Sequence, residues 1–337
     1  MKLSTVAIPG AGTERRRIGI NPLLLLATLA ALAPAALRGQ SLNDYTEFYR
    51  LLRVDALEHL VLCNPATAPA SEPFVIGIRR DTLGRPVQLT RFRFGNADTR
   101  SDWATMRISY TRYDSLNLIV ERRTYFDGTG MAVQADWAFS EEVYRRPEGQ
   151  LLQRKILDRM GKPANDSSGV HRALYRTVEP GVYAQEWYYS SGKAHFGDNL
   201  PLRPFAGIGN TAYFRRFKTD AHGNLVREEI SNIDRRPIPF PGGEYVRAYE
   251  LNECGLPVKV SFLSTDGGNM SDSSGIASIT YAYDTSGRMI EWHSFDLKGN
   301  PKGRRGDGVA GMRFTYRQFD GVLVKEEKLD ERDRVMK

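Results

Sequence analysis

The sequence predicts a mainly β protein, an elongated β-meander or β-solenoid of about eight repeats of roughly 33 residues, with one short N-terminal helix. Three observations predict it. Glycine-centred turns recur at near-constant spacing along most of the chain. Short alternating strands lie between them. The 337 residues are 41% apolar, with 16 Tyr and 15 Phe, enough to pack pleated surfaces rather than leave a disordered chain.

In chain order, residues 1–40 read as a secretory signal. Arg15-Arg16-Arg17 is its basic part. Ile18 to Leu37 lacks charged side chains and has Leu23-Leu24-Leu25-Leu26 at its heart. The small residues Ala33, Ala35, Ala36 and Gly39 follow, with cleavage expected between Ala36 and Gln40. An uncleaved membrane anchor is the rival reading, because such a stretch can span a bilayer. Pro22, Pro34 and the Ala-rich tail favour cleavage, which leaves no integral membrane segment. The segment also holds +4 of the formal charge of +7, so the remainder carries only +3. Export and that small charge argue against nucleic acid as a partner.

Residues 41–63 are predicted as a helix. Apolar Phe48, Leu51, Leu52, Val54, Leu57, Leu60 and Val61 fall near a 3.6 period, and Asn43 or Asp44 can cap its start. Residues 64–73 form a Pro/Ala linker that no helix continues through. Residues 74–337 form the β-repeat domain.

In that domain, first-type turns centre on Gly84, Asn117, Gly149, Gly181, Gly223, Gly255, Gly287 and Gly321, separated by 33, 32, 32, 42, 32, 32 and 34 residues. Second-type turns follow near Gly130, Gly161, Gly192, Gly268 and Gly299, with Asp234-Arg235-Arg236-Pro237 in the same place without Gly. The long interval contains an inserted loop around Pro201–Gly207. In the Asp-x-x-Gly turn the Asp side chain should accept from backbone amides two or three residues on, while Gly takes the positive φ. Strands such as Leu118–Phe126 and Leu225–Ile230 alternate, so one side buries while the other carries charge. Aromatic residues recur before the turns, as Tyr110 and Tyr113, Phe214 and Phe217, Tyr245 and Tyr249, Tyr281 and Tyr283, Tyr316 and Phe319. Stacked copies would align them into ladders.

The turns at Tyr113-Asp114 and Tyr283-Asp284-Thr285-Ser286-Gly287 resemble the YD repeats of the bacterial RHS family. That resemblance, over roughly residues 79–335, implies β-hairpins wound into a long sheet or shell, although the period here exceeds a YD unit. Gly299-Asn300-Pro301 and Gly308-Val309-Ala310 are similar to elements of WG-type repeats, without the Trp-Gly pair. No protease segment or toxin cargo is visible, so the resemblance carries no activity over.

Catalytic signals are weak throughout. His59, His171, His195, His222 and His293 show no ligand-pair spacing, so no metal is expected, and no cofactor. Asn165–Gly169 and Ser271–Gly275 are similar loops, read as hairpin connections rather than nucleophile sites. Gly207-Ile208-Gly209-Asn210 lacks the helix and Lys of a phosphate loop. Glu141-Glu142, Glu228-Glu229 and Glu326-Glu327 are strand neighbours that point to opposite faces. Cys63 and Cys254 are expected as separate buried thiols rather than a bridge.

The leading expectation is therefore an exported, non-catalytic repeat protein in the periplasm, at the outer-membrane surface or outside the cell. It would present a sheet face to envelope glycan or an envelope protein. Its expected contacts are the aromatic ladder with Arg122, Arg215 and Arg235, members of recurring arginine doublets. The alternatives are an envelope-polymer hydrolase with a cleft near the 197–210 insertion, and a structural spacer.

Overall fold

The computed structural model describes residues 41–98, 102–135, 138–165, 169–188, 214–232, 234–317 and 321–336. The expected signal segment at 1–40, the expected turn at Gly192, the 197–210 insertion, His195 and Phe319 lie outside the described residues. The strands follow one another as antiparallel hairpins. β1 (Glu47–Val54) and β2 (Leu60–Pro65) make the first, and β3 (Val75–Arg80) and β4 (Pro86–Arg93) the second, with the short β5 (Asn96–Ala97) folded back on β4. Next come β6 (Thr105–Tyr113) with β7 (Leu118–Phe126), β8 (Ser140–Arg145) with β9 (Leu151–Leu157), and β10 (Arg172–Glu179) with β11 (Val182–Tyr188). β12 (Phe214–Thr219) pairs with β13 (Leu225–Ser231), which also carries the short β14 (Pro237–Ile238). β15 (Val246–Leu251) pairs with β16 (Pro257–Leu263), β17 (Ser278–Tyr283) with β18 (Met289–Phe295), and β19 (Gly311–Tyr316) with β20 (Leu323–Leu329). Each hairpin pairs with the next, so the strands make one continuous meander.

One turn chemistry repeats along the meander. At Asp55, Asp81, Asp127, Asp158, Asp220, Asn252, Asp272, Asp284, Asp296 and Asp330, Oδ1 accepts the amides two and four residues on, at 2.8–3.0 Å. The second bond reaches one residue further than the sequence reading had it. The residue three on has positive φ in every case, Gly in eight turns and Glu58 and Asp333 in the others.

The expected helix at 41–63 is a correction. Apart from a single 3-10 turn at Leu42–Asp44, the segment is the β1–β2 hairpin. Its turn, Asp55-Ala56-Leu57-Glu58, uses the same Asp bonding without its glycine, so the described residues hold nine hairpins rather than eight. The helical-looking apolar period arises because both faces of this hairpin are covered. Tyr49, Leu52, Leu60 and Leu62 pack against the Ile76, Leu89, Met106 and Tyr125 cluster. Leu57 packs with the Tyr175, Trp187, Phe217 and Ile230 cluster. With burial on two sides, the polar alternation that marks a half-buried strand is lost. Asn64 and Pro65 of the expected linker belong to β2, and the following loop is tied by Ala66 N–H to Phe48 O at 2.9 Å and by an Arg50–Glu72 ion pair.

The hairpin acts as a tongue that the sheet curls around. β1 pairs with β3 only from Glu47 to Tyr49, and the rest projects away from that edge. At its tip the Glu58 carbonyl accepts from Arg123 of β7, and Leu57 O accepts from Arg145 of β8 at 2.7 Å. Farther down, Arg53 Nε donates to Cys254 O at 2.6 Å, in the β15–β16 turn. From β7 to β15 is seven strand spacings, ~34 Å in a flat sheet at about 4.8 Å each. Five extended residues reach only ~17 Å. The sheet between must therefore curve.

Cys63 and Cys254 form a disulfide with Cα atoms 5.7 Å apart, which corrects the expectation of separate thiols. Their separation of 191 residues hid the pairing, because only the curl brings β2 to that turn. At Gly255 (φ +69°) any Cβ would collide with the Arg53 guanidinium, and at Gly223 (φ +82°) a Cβ would lie 2.6 Å from Asp55 Oδ2. Both turn glycines thus also give the tongue room.

Candidate functional site: a polar cavity beneath the tongue

The predicted aromatic residues divide into three groups. Tyr110, Tyr283 and Tyr316 act as clasps between successive hairpins. Their hydroxyls donate to Pro86 O (3.0 Å), Pro257 O (2.9 Å) and Met289 O (2.9 Å). Each acceptor lies five residues after the turn residue, Asp81, Asn252 or Asp284, of the preceding hairpin. In two of these, the Arg one residue earlier binds the turn Asp and lies over the ring, Arg85 at 4.3 Å from Tyr110 and Arg288 at 4.8 Å from Tyr316. Burial pushes the Tyr283 hydroxyl up to about 12. Phe217 and Tyr281 are buried, and Tyr249 points its hydroxyl inward to Glu228. Tyr113 is exposed, Tyr245 half-buried, and Phe214 lies 5.3 Å beneath exposed Arg235. The structure does not gather these residues on one solvent-facing strip.

The arginine and glutamate doublets split across the sheet as strand geometry requires. Arg122 faces out to Glu142, with its side chain 52% exposed, while Arg123 is 1% exposed and faces in. Arg215 faces in to Glu228 at 2.7 Å, and Arg216 faces out to Glu229 at 3.5 Å. Glu141 and Glu142 divide the same way. The inner face is thus strongly polar beneath the tongue.

There it borders a cavity of ≈ 530 Å³. The tongue contributes Arg53, Asp55 and Glu58. The sheet contributes Tyr125, Glu141, Arg154, Tyr175, Gln185, Trp187, Arg215 and Tyr249. Hydrogen bonds link these groups from one wall to the other. Tyr175 OH donates to Glu58 Oε1 at 2.7 Å and receives Gln185 Nε2 at 2.9 Å. Gln185 Oε1 accepts from Arg215 Nη1 at 3.3 Å, and Arg215 and Tyr249 both bind Glu228. Arg154 sits between two carboxylates, with Nη2 3.1 Å from Glu141 Oε1 and Nε 3.9 Å from Glu58 Oε2. Burial and the adjacent Glu58 carboxylate hold the Tyr175 hydroxyl protonated well above its usual range. Burial and Glu228 do the same for Tyr249. Burial opposes ionisation of Glu141, but Arg154 and Arg123 outweigh it and hold the carboxyl below its usual range.

Sequence reasoning did not single out Glu58, Arg154, Tyr175, Gln185 or Trp187. The strands carry part of the signal, since charged neighbours must take opposite faces, but not which of them faces in. Elsewhere, His59 pairs with Asp55 at 2.9 Å, and His171 Nδ1 lies 2.8 Å from Ile156 O. Glu291, His293 and Asp333 converge, but Arg313 reaches the same carboxylates at 2.8 and 3.8 Å and already supplies a positive charge there. Among the described residues no helix is long and apolar enough to cross a membrane.

No family model and no curated protein matches this chain. Solved structures give distant likenesses. A chain of the TcdB2-TccC3-Cdc42 crystal structure is 12% identical with a TM-score of 0.19, over 85% of this chain and 19% of that one. A chain of TcdB2-TccC3 is 11% identical with a TM-score of 0.19, over 78% and 17%. Dihydro-heme d1 dehydrogenase NirN in complex with DHE is 12% identical with a TM-score of 0.20, over 89% and 76%. This chain spans about a fifth of the length of the TcdB2-TccC3 chains it resembles. These likenesses carry nothing about activity.

Proposed function

We propose that this chain is an exported, non-catalytic binding protein that holds a segment of envelope glycan against the inner face of its sheet. The carrying observation is the cavity itself, where Tyr125, Tyr175, Trp187 and Tyr249 stand among paired arginines and carboxylates. Aromatic faces with a few convergent polar groups are the usual make-up of a small-molecule site. The proposed site keeps Tyr249 and Arg215 of the expected contact residues, which line the cavity, and leaves out Tyr110, Tyr283 and Tyr316, which clasp hairpin to hairpin. Export is supported by the signal-like composition of residues 1–40 and by the disulfide, which persists in oxidising compartments.

A hydrolase reading has one observation behind it, since Glu58 and Glu141 line the same cavity. Both are engaged by Arg154, and Glu141 is held ionised. A glycosidase needs one carboxyl kept protonated to serve the leaving group. The full chain, purified oxidised, should bind oligosaccharides on a glycan array and release no reducing ends from them. An array with no bound glycan would refute the binding reading, and Trp187-dependent release of reducing ends would favour the hydrolase.

A further inference from the structure

We infer that the ligand of this cavity is an uncharged oligosaccharide, an inference that rests on the binding reading above. The lining carries three carboxylates, Asp55, Glu58 and Glu141, and three guanidiniums, Arg53, Arg154 and Arg215. Immediately behind it stand Glu121, paired with Arg123, Glu228, paired with Arg215 of the lining, and Arg145, which donates to Leu57 O. The formal charges of these five carboxylates and five guanidiniums cancel in sum, and several of them are directly paired. Arg215 is held by Glu228, Arg154 by Glu141, and Arg53 lies in the field of Asp55 and Asp220. An anionic ligand would have to draw a guanidinium from its carboxylate in a partly desolvated site, and a cationic ligand would face the converse cost. A neutral hydroxylated ring meets neither cost. Paired Arg and Glu groups remain able to donate to and accept from hydroxyls through unused lone pairs and N–H groups. The hydroxyls of Tyr175 and Tyr249, held protonated, add neutral partners, as does the Gln185 amide. The apolar part of the lining includes Trp187, Tyr125 and Tyr175, each less than a tenth exposed. A volume of ≈ 530 Å³ lies within the usual range for small-ligand sites, which suits a short stretch of chain rather than a long polymer.

The test titrates the oxidised full chain calorimetrically with three sets of tri- to hexasaccharides. These are neutral oligomers of glucose, mannose and N-acetylglucosamine, acidic oligomers of galacturonate, and cationic oligomers of glucosamine. At least one neutral series should bind roughly tenfold or more tighter than both charged ones, and Trp187→Ala should weaken it about tenfold or more. Trp187→Phe keeps an aromatic core residue and serves if the alanine variant unfolds. It should weaken binding less than that but measurably. Glu58→Gln leaves the cavity with one excess positive charge, so it should raise affinity for galacturonate oligomers about tenfold. Tighter binding of an acidic or cationic series by the wild-type protein would overturn the inference and leave the binding reading standing. No binding of any of the three series would overturn both.

Discussion

Breaking the Cys63–Cys254 bond tests whether the tongue makes the meander a single folding unit. In a linear repeat array each unit touches only its neighbours, so stability is nearly local. Here one covalent link joins β2 to the β15–β16 turn across 191 residues. In the chain-entropy account, opening a loop of that length returns about 5 kcal/mol to the unfolded state. For the roughly 300 residues beyond residue 40 the unfolding entropy is ~0.6 kcal/mol/K, so the melting midpoint should fall by roughly 8 °C. Arg53 keeps its hydrogen bond to Cys254 O without the disulfide, so the tongue should remain docked at neutral pH in the cold and detach early on heating. Calorimetry on the oxidised protein, the reduced protein and the Cys63→Ser/Cys254→Ser double variant measures this. The last two should agree closely, and both should melt lower and more broadly than the first. Hydrogen exchange in residues 47–65 should rise more than in β17–β20. A reduced protein that melts within about 1 °C of the oxidised one, with β1–β2 protection unchanged, would refute the idea that the disulfide secures the curl.

Four smaller tests follow from single contacts. Asp284→Ala removes acceptors for Ser286 N, Arg288 N and Arg288 Nε and should cost about 1–3 kcal/mol in urea unfolding, while Asp284→Asn, which keeps the Oδ1 acceptor as Asn252 does, should cost less than about 1. Gly84→Ala and Gly223→Ala both place a side chain at positive φ, a cost of about 1–2 kcal/mol. Only Gly223→Ala also drives a Cβ into Asp55, so it should be the worse by a clear margin, and equal losses would refute the tongue's position. Tyr283→Phe deletes the clasp to Pro257 O and should cost about 1 kcal/mol in the same assay. The Arg334 guanidinium holds Asp330 down at about 2, the Asn300 amide lowers Asp296, and the Thr129 hydroxyl lowers Asp127. A depressed carboxyl stabilises the fold above its unfolded pKa of about 3.9, and that contribution is lost as pH falls through the folded value. Urea midpoints should therefore be level above about pH 5 and decline from about pH 4 towards pH 2; a midpoint that rises on acidification would contradict the assignment.

The turns were legible in the sequence because their chemistry is local. Asp284 and Gly287 carry the whole instruction for their hairpin within five residues, and the same words recur at Asp81 and Asp220. The first hairpin was not legible for an equally physical reason. Its turn has Glu58 where eight of the other nine have Gly, and the left-handed φ of 61° there is held by what the tongue touches, including the Arg123 bond to Glu58 O. Burial on two sides then replaced the alternation of a strand with a spacing that imitates a helix. The curl itself has no local signature, since no short segment records that β7 and the β15–β16 turn meet the same few residues.

The inner site was half legible, and the missing half is a matter of sign. Strand parity correctly sets Arg122 apart from Arg123, and Glu228 from Glu229. Parity alone does not say which member faces the interior. The ordinary rule sends both charged neighbours to solvent, or buries the apolar side between them. Here the interior takes charges because two charged surfaces close on one another, the sheet with Arg154, Glu141 and Arg215 and the tongue with Asp55, Glu58 and Arg53. The tongue does not satisfy its own charges. Glu58 needs Tyr175 and Arg154 from the sheet, and Arg53 needs Asn224 and Cys254 O from two of its turns. Deleting Glu58 should therefore disturb the sheet's inner network more than deleting the outward Glu142, although both are equally plain as glutamates in the sequence. The cavity exists where the two charged surfaces meet without filling the space between them, so its residues become a site only after the fold has closed.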